Sequence, residues 1–215
     1  MMQRFTIGFP YAADRFGGST ASSLVLAHAL QDAGHHIHVL IHGGEGRVAD
    51  EAAALGLTVT HLPVLTAIPG YARPDRFRIE QIRAFPASCA AIHRLGLDIV
   101  HTNDIAMLRG WSMPCFATSA ALVAHWRSNF RESWSVKTSL RVARAVIAVS
   151  QYSFDKLPGW VQAKSVVEYN SFDLHFPSSE AGNAGKEIRS ALGLPANAAL
   201  VGVFGHELGH VAGRH

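Results

Sequence analysis

Short apolar runs alternate with helical stretches along most of the chain, and this alternation constrains the fold more than any other feature. The runs are Phe5–Phe9, His36–Ile41, Thr58–Leu62, Asp98–His101, Ala121–His125, Ala145–Ser150 and Lys164–Tyr169. Helical patterns fall between them, and Gly34, Gly56 and Gly96 supply the stops expected after the first helix, Val48–Leu55 and Arg73–Leu95. Strands joined through helices pair in parallel and are buried on both faces, so they read as continuous apolar runs. The predicted class is α/β, a parallel sheet with helices on both faces.

Composition fits that class. At 215 residues, with 48% hydrophobic and 16% charged, the chain supports one large domain or one domain plus the start of another. No run approaches the roughly 18–20 apolar residues of a membrane span. Met1-Met2-Gln3-Arg4 leads straight into the first strand without a signal-peptide pattern. Cys89 and Cys115 form no metal or redox spacing, so a reduced, cytoplasmic setting is expected. The net charge of +3 is too modest to point to nucleic acid. Beyond Asn170 the character changes: Phe176–Gly185 is polar and small, Lys186–Leu192 reads as a short helix, and Ala199–Gly205 as another buried strand. The expected organisation is a domain over 1–175, a linker with a short helix over 176–198, and over 199–215 the first strand of a second domain cut short.

Function is sought at the carboxyl ends of the strands, where open α/β sheets bind ligands. Four polar sets fall there: Gly17-Gly18-Ser19, His101-Thr102-Asn103-Asp104, His125-Trp126-Arg127 and Ser150-Gln151. Gly17 and Gly18 precede a helix, so backbone N–H groups and a positive helix end would face an anion, with Ser19 or Thr20 as the cap. The bland alternative is a loop that turns the chain, and Asn103, Asp104 and Ser150 could equally be helix caps. No G-x-G-x-x-G follows the first strand, so a nicotinamide cofactor is not expected. His36, His38 and His42 would share a strand face, but a buried strand rarely turns three ligands to one ion. His206-Glu207-Leu208-Gly209-His210 matches H-E-x-x-H in spelling. It directly follows a strand and glycine and contains a helix-weakening glycine, so neither metal nor cofactor is expected. Two basic stretches remain: Arg73–Phe85, where arginines alternate with Phe77, Ile82 and Phe85, and Arg127, Arg131, Lys137, Arg141 and Arg144. Each is either an ordinary surface helix or a face for an anionic membrane or acidic acceptor.

Taken together, the ordered pieces resemble the N-terminal half of a GT-B glycosyltransferase of the retaining family 4. They are Gly17-Gly18-Ser19 before a helix ending Ala33-Gly34-His35, the strand Asp98–Asn103, and the strand ending Val123-Ala124-His125. Val146–Ser150, Tyr169–Asp173 with Phe176, and Leu200–Gly205 complete the set. The resemblance implies a Rossmann-like sheet and transfer of a sugar from a nucleotide-sugar to a saccharide, lipid-linked or small acceptor. It implies that Gly17 and Gly18 meet the donor diphosphate, that His125 reaches the transferred sugar, and that His101, Asn103, Asp104 and Arg127 border the acceptor. Peripheral contact with the inner face of a membrane fits such an acceptor. The family's arginine after the strand at Gly205 is replaced by His206, and the nucleotide-binding domain is missing, which implies little activity alone. Two other readings stand beside this one: a non-catalytic remnant that binds a sugar or partner, and a zinc hydrolase using His206, Glu207 and His210.

Overall fold

The structure, a computed structural model, describes residues 3–12, 16–65, 74–127, 133–170 and 180–195. The chain divides into two compact units, Met1–Phe172 and Asp173–His215.

The first unit is built on seven parallel strands: β1 (Thr6–Ala12), β2 (His36–His42), β3 (Thr58–Leu62), β4 (Ile99–Thr102), β5 (Ala121–Trp126), β6 (Ala145–Ala148) and β7 (Ser165–Val167). Each grows from an apolar run anticipated above. Their order is β3-β2-β1-β4-β5-β6-β7. The chain therefore winds outward from β1 to β3, returns, and winds the other way from β4. The switch point lies between β1 and β4, where Ile7 pairs with Ile99 and Gly8 with Val100.

Helices α1 (Gly18–Asp32) and α2 (Arg47–Ala54) cover one face, and α3 (Pro74–Leu95), α4 (Ile105–Ala117) and α5 (Trp134–Val142) the other. Two short helices, α6 (Gln151–Asp155) and α7 (Gly159–Gln162), lead into β7. Strand alternation divides the core accordingly. Phe9, Tyr11, Val39 and Ile41 pack with Leu24, Ala27 and Val48, whereas Leu40, Val100 and Leu122 pack with Trp111, Met107 and Leu140. In the second unit, α8 (Glu180–Ala191) begins six residues before the helix read from Lys186, inside the stretch read as linker. The anticipated strand Ala199–Gly205 and the His206–His210 motif lie outside the described residues.

Helix α4 departs most from the sequence expectation, which placed no helix over Ile105–Ala117. Gly110 and Pro114 lie inside it. The glycine is required by packing: a Cβ there would stand 2.3 Å from Leu65 Cδ2, and Leu65 is itself fully buried. Gly110→Ala is expected to cost about 1–3 kcal/mol through overpacking despite alanine's better helix propensity. A lowered urea midpoint at unchanged slope would confirm this. An unchanged or raised midpoint would mean that Leu65 yields freely.

Candidate functional site

The carboxyl edge around the switch point gathers most of the candidate residues. Gly17 is the N-cap of α1 and makes no side-chain cap hydrogen bond, so the expected capping by Ser19 or Thr20 is corrected. The physical reason is that Gly17 is extended, with φ of −157°, and itself occupies the cap position, placing Ser19 and Thr20 inside the first turn. Among the described residues, and leaving out chain neighbours, nothing lies within 4 Å of a Cβ built on Gly17 or Gly18. Their value to a site is open access to the backbone rather than an unusual dihedral.

Asn103 follows β4 and is buried. Its Nδ2 donates to Ser19 O at 3.0 Å and ties the end of β4 to the first turn of α1. Its Oδ1 is buried with no hydrogen-bond partner among the described residues. Asp104 caps α4 by accepting from Met107 N at 2.8 Å, and Ser150 caps α6 by accepting from Ser153 N at 3.1 Å. The capping alternative thus describes what both of these side chains do here.

A polar chain runs from β4 to Asn170, in the segment that follows β7. His101 Nε2 lies 3.2 Å from His125 Nδ1, Arg127 Nη2 lies 3.3 Å from the same Nδ1, and Arg127 Nη1 donates to Asn170 Oδ1. His101 is buried and stacks on Phe9 with centroids 4.8 Å apart. Arginine has no acceptor, so it fixes His125 Nδ1 as one. His101 Nε2 must then carry its proton toward His125, and neutral His125 carries its own on Nε2. That Nε2 is buried and has no hydrogen-bond partner among the described residues. Burial first, and then the Arg127 charge, lowers the His125 pKa to about 4. Burial first, then His125 and Arg127, lowers that of His101 to about 3. Both rings are therefore neutral at pH 7, and His125 presents a fixed donor rather than a cation.

The polar sets at the strand ends pointed to His101, Asn103, His125 and Arg127, and the fold places them at one edge. Three partnerships were not visible in the sequence. Asn170 holds Arg127 from 43 residues away. On β1, Tyr11 Oη lies 2.5 Å from Ser23 Oγ, and burial pushes the phenol well above its ordinary pKa so that it stays neutral. His42, weighed above as a metal ligand, accepts from Trp111 Nε1 through Nε2 at 2.9 Å and donates through Nδ1 to Pro63 O at 2.8 Å. Among the described residues no three His, Cys, Asp or Glu side chains come together to hold a metal ion. Also among them, no helix is long and apolar enough to cross a membrane.

A seven-stranded parallel sheet with helices on both faces and a switch point between β1 and β4 defines a Rossmann-like α/β fold. The sequence model of Glycosyltransferase Family 4 matches residues 16–176, and the chain belongs to that family. Solved structures agree on a GT-B glycosyltransferase N-terminal fold. A glycosyltransferase from Rickettsia africae superposes with a TM-score of 0.66 at 17% identity, over 91% of this chain and 51% of that one. HepE of Anabaena, solved in complex with UDP-glucose, gives 0.60 at 16%, over 88% and 50%. A putative UDP-N-acetylglucosamine 2-epimerase from Listeria monocytogenes gives 0.59 at 15%, over 85% and 52%. The chain thus spans about half the length of the structures it matches. No curated protein sequence matches it.

Proposed function

We propose that this chain is the acceptor-side half of a retaining glycosyltransferase, moving a hexose from a nucleotide-sugar to a saccharide-bearing acceptor and needing a nucleotide-binding half for turnover. The observation that carries the reading is the buried, unpartnered Nε2 of His125 at the same carboxyl edge of the sheet as the glycine-capped start of α1. A hydroxyl-rich, uncharged ring bearing a diphosphate suits that pair: the donor meets a sugar hydroxyl while the α1 N–H groups at Gly17 and Gly18 meet phosphate oxygens. Arg127 orients His125 directly, His101 does so from below, and Asn103 offers its unpaired Oδ1 to the acceptor. Asp104, committed to its cap, borders the same edge. In this reading residues 1–175 form the acceptor-side domain, 176–198 the linker, and 199–215 the start of the nucleotide-binding domain. Loss of the leaving diphosphate would be eased by backbone N–H dipoles, with no glycosidase-like carboxylate pair required.

Three exposed aromatics support a saccharide acceptor. Trp134 opens α5, Tyr152 lies in the first turn of α6, and Tyr169 follows β7, so all three stand at the carboxyl edge of neighbouring strands. Aromatic faces there can stack on the apolar faces of sugar rings. A cytoplasmic enzyme in peripheral contact with a membrane that carries its acceptor fits the arginine-bearing apolar surface of α3.

The test is binding. Calorimetric titration with UDP-glucose is expected to give a Kd weaker than about 1 mM, because most donor contacts belong to the other half. Saturation-transfer NMR should still show contact with the sugar protons, and His125→Gln should abolish it. Micromolar calorimetric binding would overturn the half-site account, and absence of NMR contact would overturn the glycosyl-transfer reading.

A further inference from the structure

The hydrogen bond between His101 and His125 does not by itself place a proton. Each ring brings one nitrogen to the 3.2 Å contact, and either nitrogen can be the donor. Two arrangements of the neutral pair therefore compete. In one, His125 keeps its proton on Nε2. In the other the proton sits on Nδ1, and Nε2 becomes an acceptor. Nε2 is the atom of His125 that is buried with no hydrogen-bond partner among the described residues. The two arrangements thus offer a ligand opposite chemistry at one place. Arg127 breaks the tie, because its Nη2, 3.3 Å from Nδ1, can only donate.

What holds Arg127 then decides what His125 presents. Arg127 is the first residue beyond β5 and is half-buried. Its Nε is buried with no hydrogen-bond partner among the described residues, so the guanidinium rests on its two outer nitrogens. Nη2 faces His125, and Nη1 donates to Asn170 Oδ1. Burial holds the Arg127 pKa below its ordinary value. A cation in that position gains by swinging out to water unless hydrogen bonds keep it in. Asn170 Oδ1 supplies one. Both ends of this link stand on the sheet: Val149 N donates to Trp126 O, and Glu168 N to Ala148 O, which ties the segments after β5 and β7 to β6. Strands β5 and β7 flank β6, so they lie about 10 Å apart. An arginine is long enough to span that gap. Its planar fork also serves two partners at a fixed angle, which a lysine ammonium does not.

We propose that Asn170 is a positioning residue: through Arg127 it fixes the proton of His125 on Nε2 and so makes that buried nitrogen a hydrogen-bond donor. The proposal rests on the glycosyltransferase reading above and deepens it, since there this N–H meets a hydroxyl of the transferred sugar. Asn170 itself acts at one remove and touches no substrate. In the sequence it belongs only to the piece Tyr169–Asp173, and its role depends on a partner 43 residues away.

Nitrogen NMR of the full chain, labelled at its histidines, reads the tautomer directly, because a ring nitrogen that bears hydrogen resonates apart from one that does not. The signals of His125 are those lost in His125→Gln. At pH 7.5 the parent chain should show His125 with its proton on Nε2. In Asn170→Ala the two tautomers should become comparable, a change in their ratio of about tenfold or more, as expected for loss of one hydrogen bond to a charged group. Asn170→Leu, which keeps the side-chain volume, should do the same. Asn170→Asp keeps an acceptor oxygen for Arg127 and should restore the parent pattern. A merely structural role for Asn170 would lower the melting temperature without moving the tautomer. A mixture in the parent chain, an unmoved tautomer in Asn170→Ala or Asn170→Leu, or the same mixture in Asn170→Asp would each overturn the proposal. Saturation-transfer contact with UDP-glucose reads the glycosyl-transfer account separately. A tautomer that responds without sugar contact keeps the role of Asn170 and sinks that account; sugar contact with an unmoved tautomer does the reverse.

Discussion

Lowering the pH from about 7.5 to about 5 is expected to remove up to about 6 kcal/mol of folding stability, most of what a typical domain possesses. The cause is three buried histidines. Burial lowers the pKa of His42 to about 4, of His101 to about 3 and of His125 to about 4. Above about pH 6.5 the rings are neutral in both folded and unfolded chain, and proton binding favours neither. Below it the unfolded chain takes up protons that the folded chain refuses, so stability falls with pH until the folded values are reached. Each histidine contributes about 1.4 kcal/mol per pH unit, or about 2 kcal/mol at pH 5. Geometry gives the same sign. Trp111 already donates to His42 Nε2, and Arg127 to His125 Nδ1, so each added proton would face an existing donor. Urea midpoints across this range should fall steeply, with about three protons taken up on unfolding near pH 5.5 and about none above pH 8. A flat profile between pH 7.5 and 5 would mean that the rings are protonated in the folded chain.

Trp111→Ala is expected to cost about 5 kcal/mol and to leave the chain largely unfolded at 37 °C. Trp111 is completely buried between the sheet and α3 and α5, and it is among the largest side chains of that core. Truncating it removes about 3–5 kcal/mol of transfer and cavity energy, and the orphaned His42 Nε2 adds about 1–3 kcal/mol. Trp111→Phe separates the two contributions. It keeps most of the volume and loses the 2.9 Å bond, so the expected cost at neutral pH is about 1–3 kcal/mol. It leaves His42 buried, and burial is what lowers that pKa, so most of His42's share of the acid lability should remain. Equal stability of Trp111→Phe and the parent chain at pH 7.5 would show that the bond contributes nothing net.

The seven strands were legible because their signal is local. Runs such as Val39-Leu40-Ile41 and Ala145–Ala148 are apolar on both sides, and glycines stop the helices before β2, β3 and β4. Gly34, Gly56 and Gly96 each adopt a positive φ, as a helix stop requires. Helix α4 was illegible for the opposite reason. It is packed between α3 and α5, so it has no polar face to give a 3.6-residue period, and Gly110 and Pro114 read as breakers. The candidate residues were legible at the level of position, since polar sets at the ends of β4 and β5 include His101, Asn103, His125 and Arg127. Its partnerships were not. Arg127 and Asn170 stand 43 residues apart, and His42 and Trp111 69, and nothing in either neighbourhood announces the other.

The sequence by itself determined the strand–helix alternation, the family, and the glycine pair at the start of α1, because each depends on residues within a few positions of one another. Only the tertiary structure decided that β1 lies between β2 and β4, which brings Gly17, Gly18 and Asn103 to one edge. It alone decided which nitrogen of His125 carries the proton, since Arg127 and His101 must be in place before either can dictate it. It alone left Ile82 and Met113 in water. An apolar residue is buried or exposed according to what packs against it, and that partner comes from elsewhere in the chain.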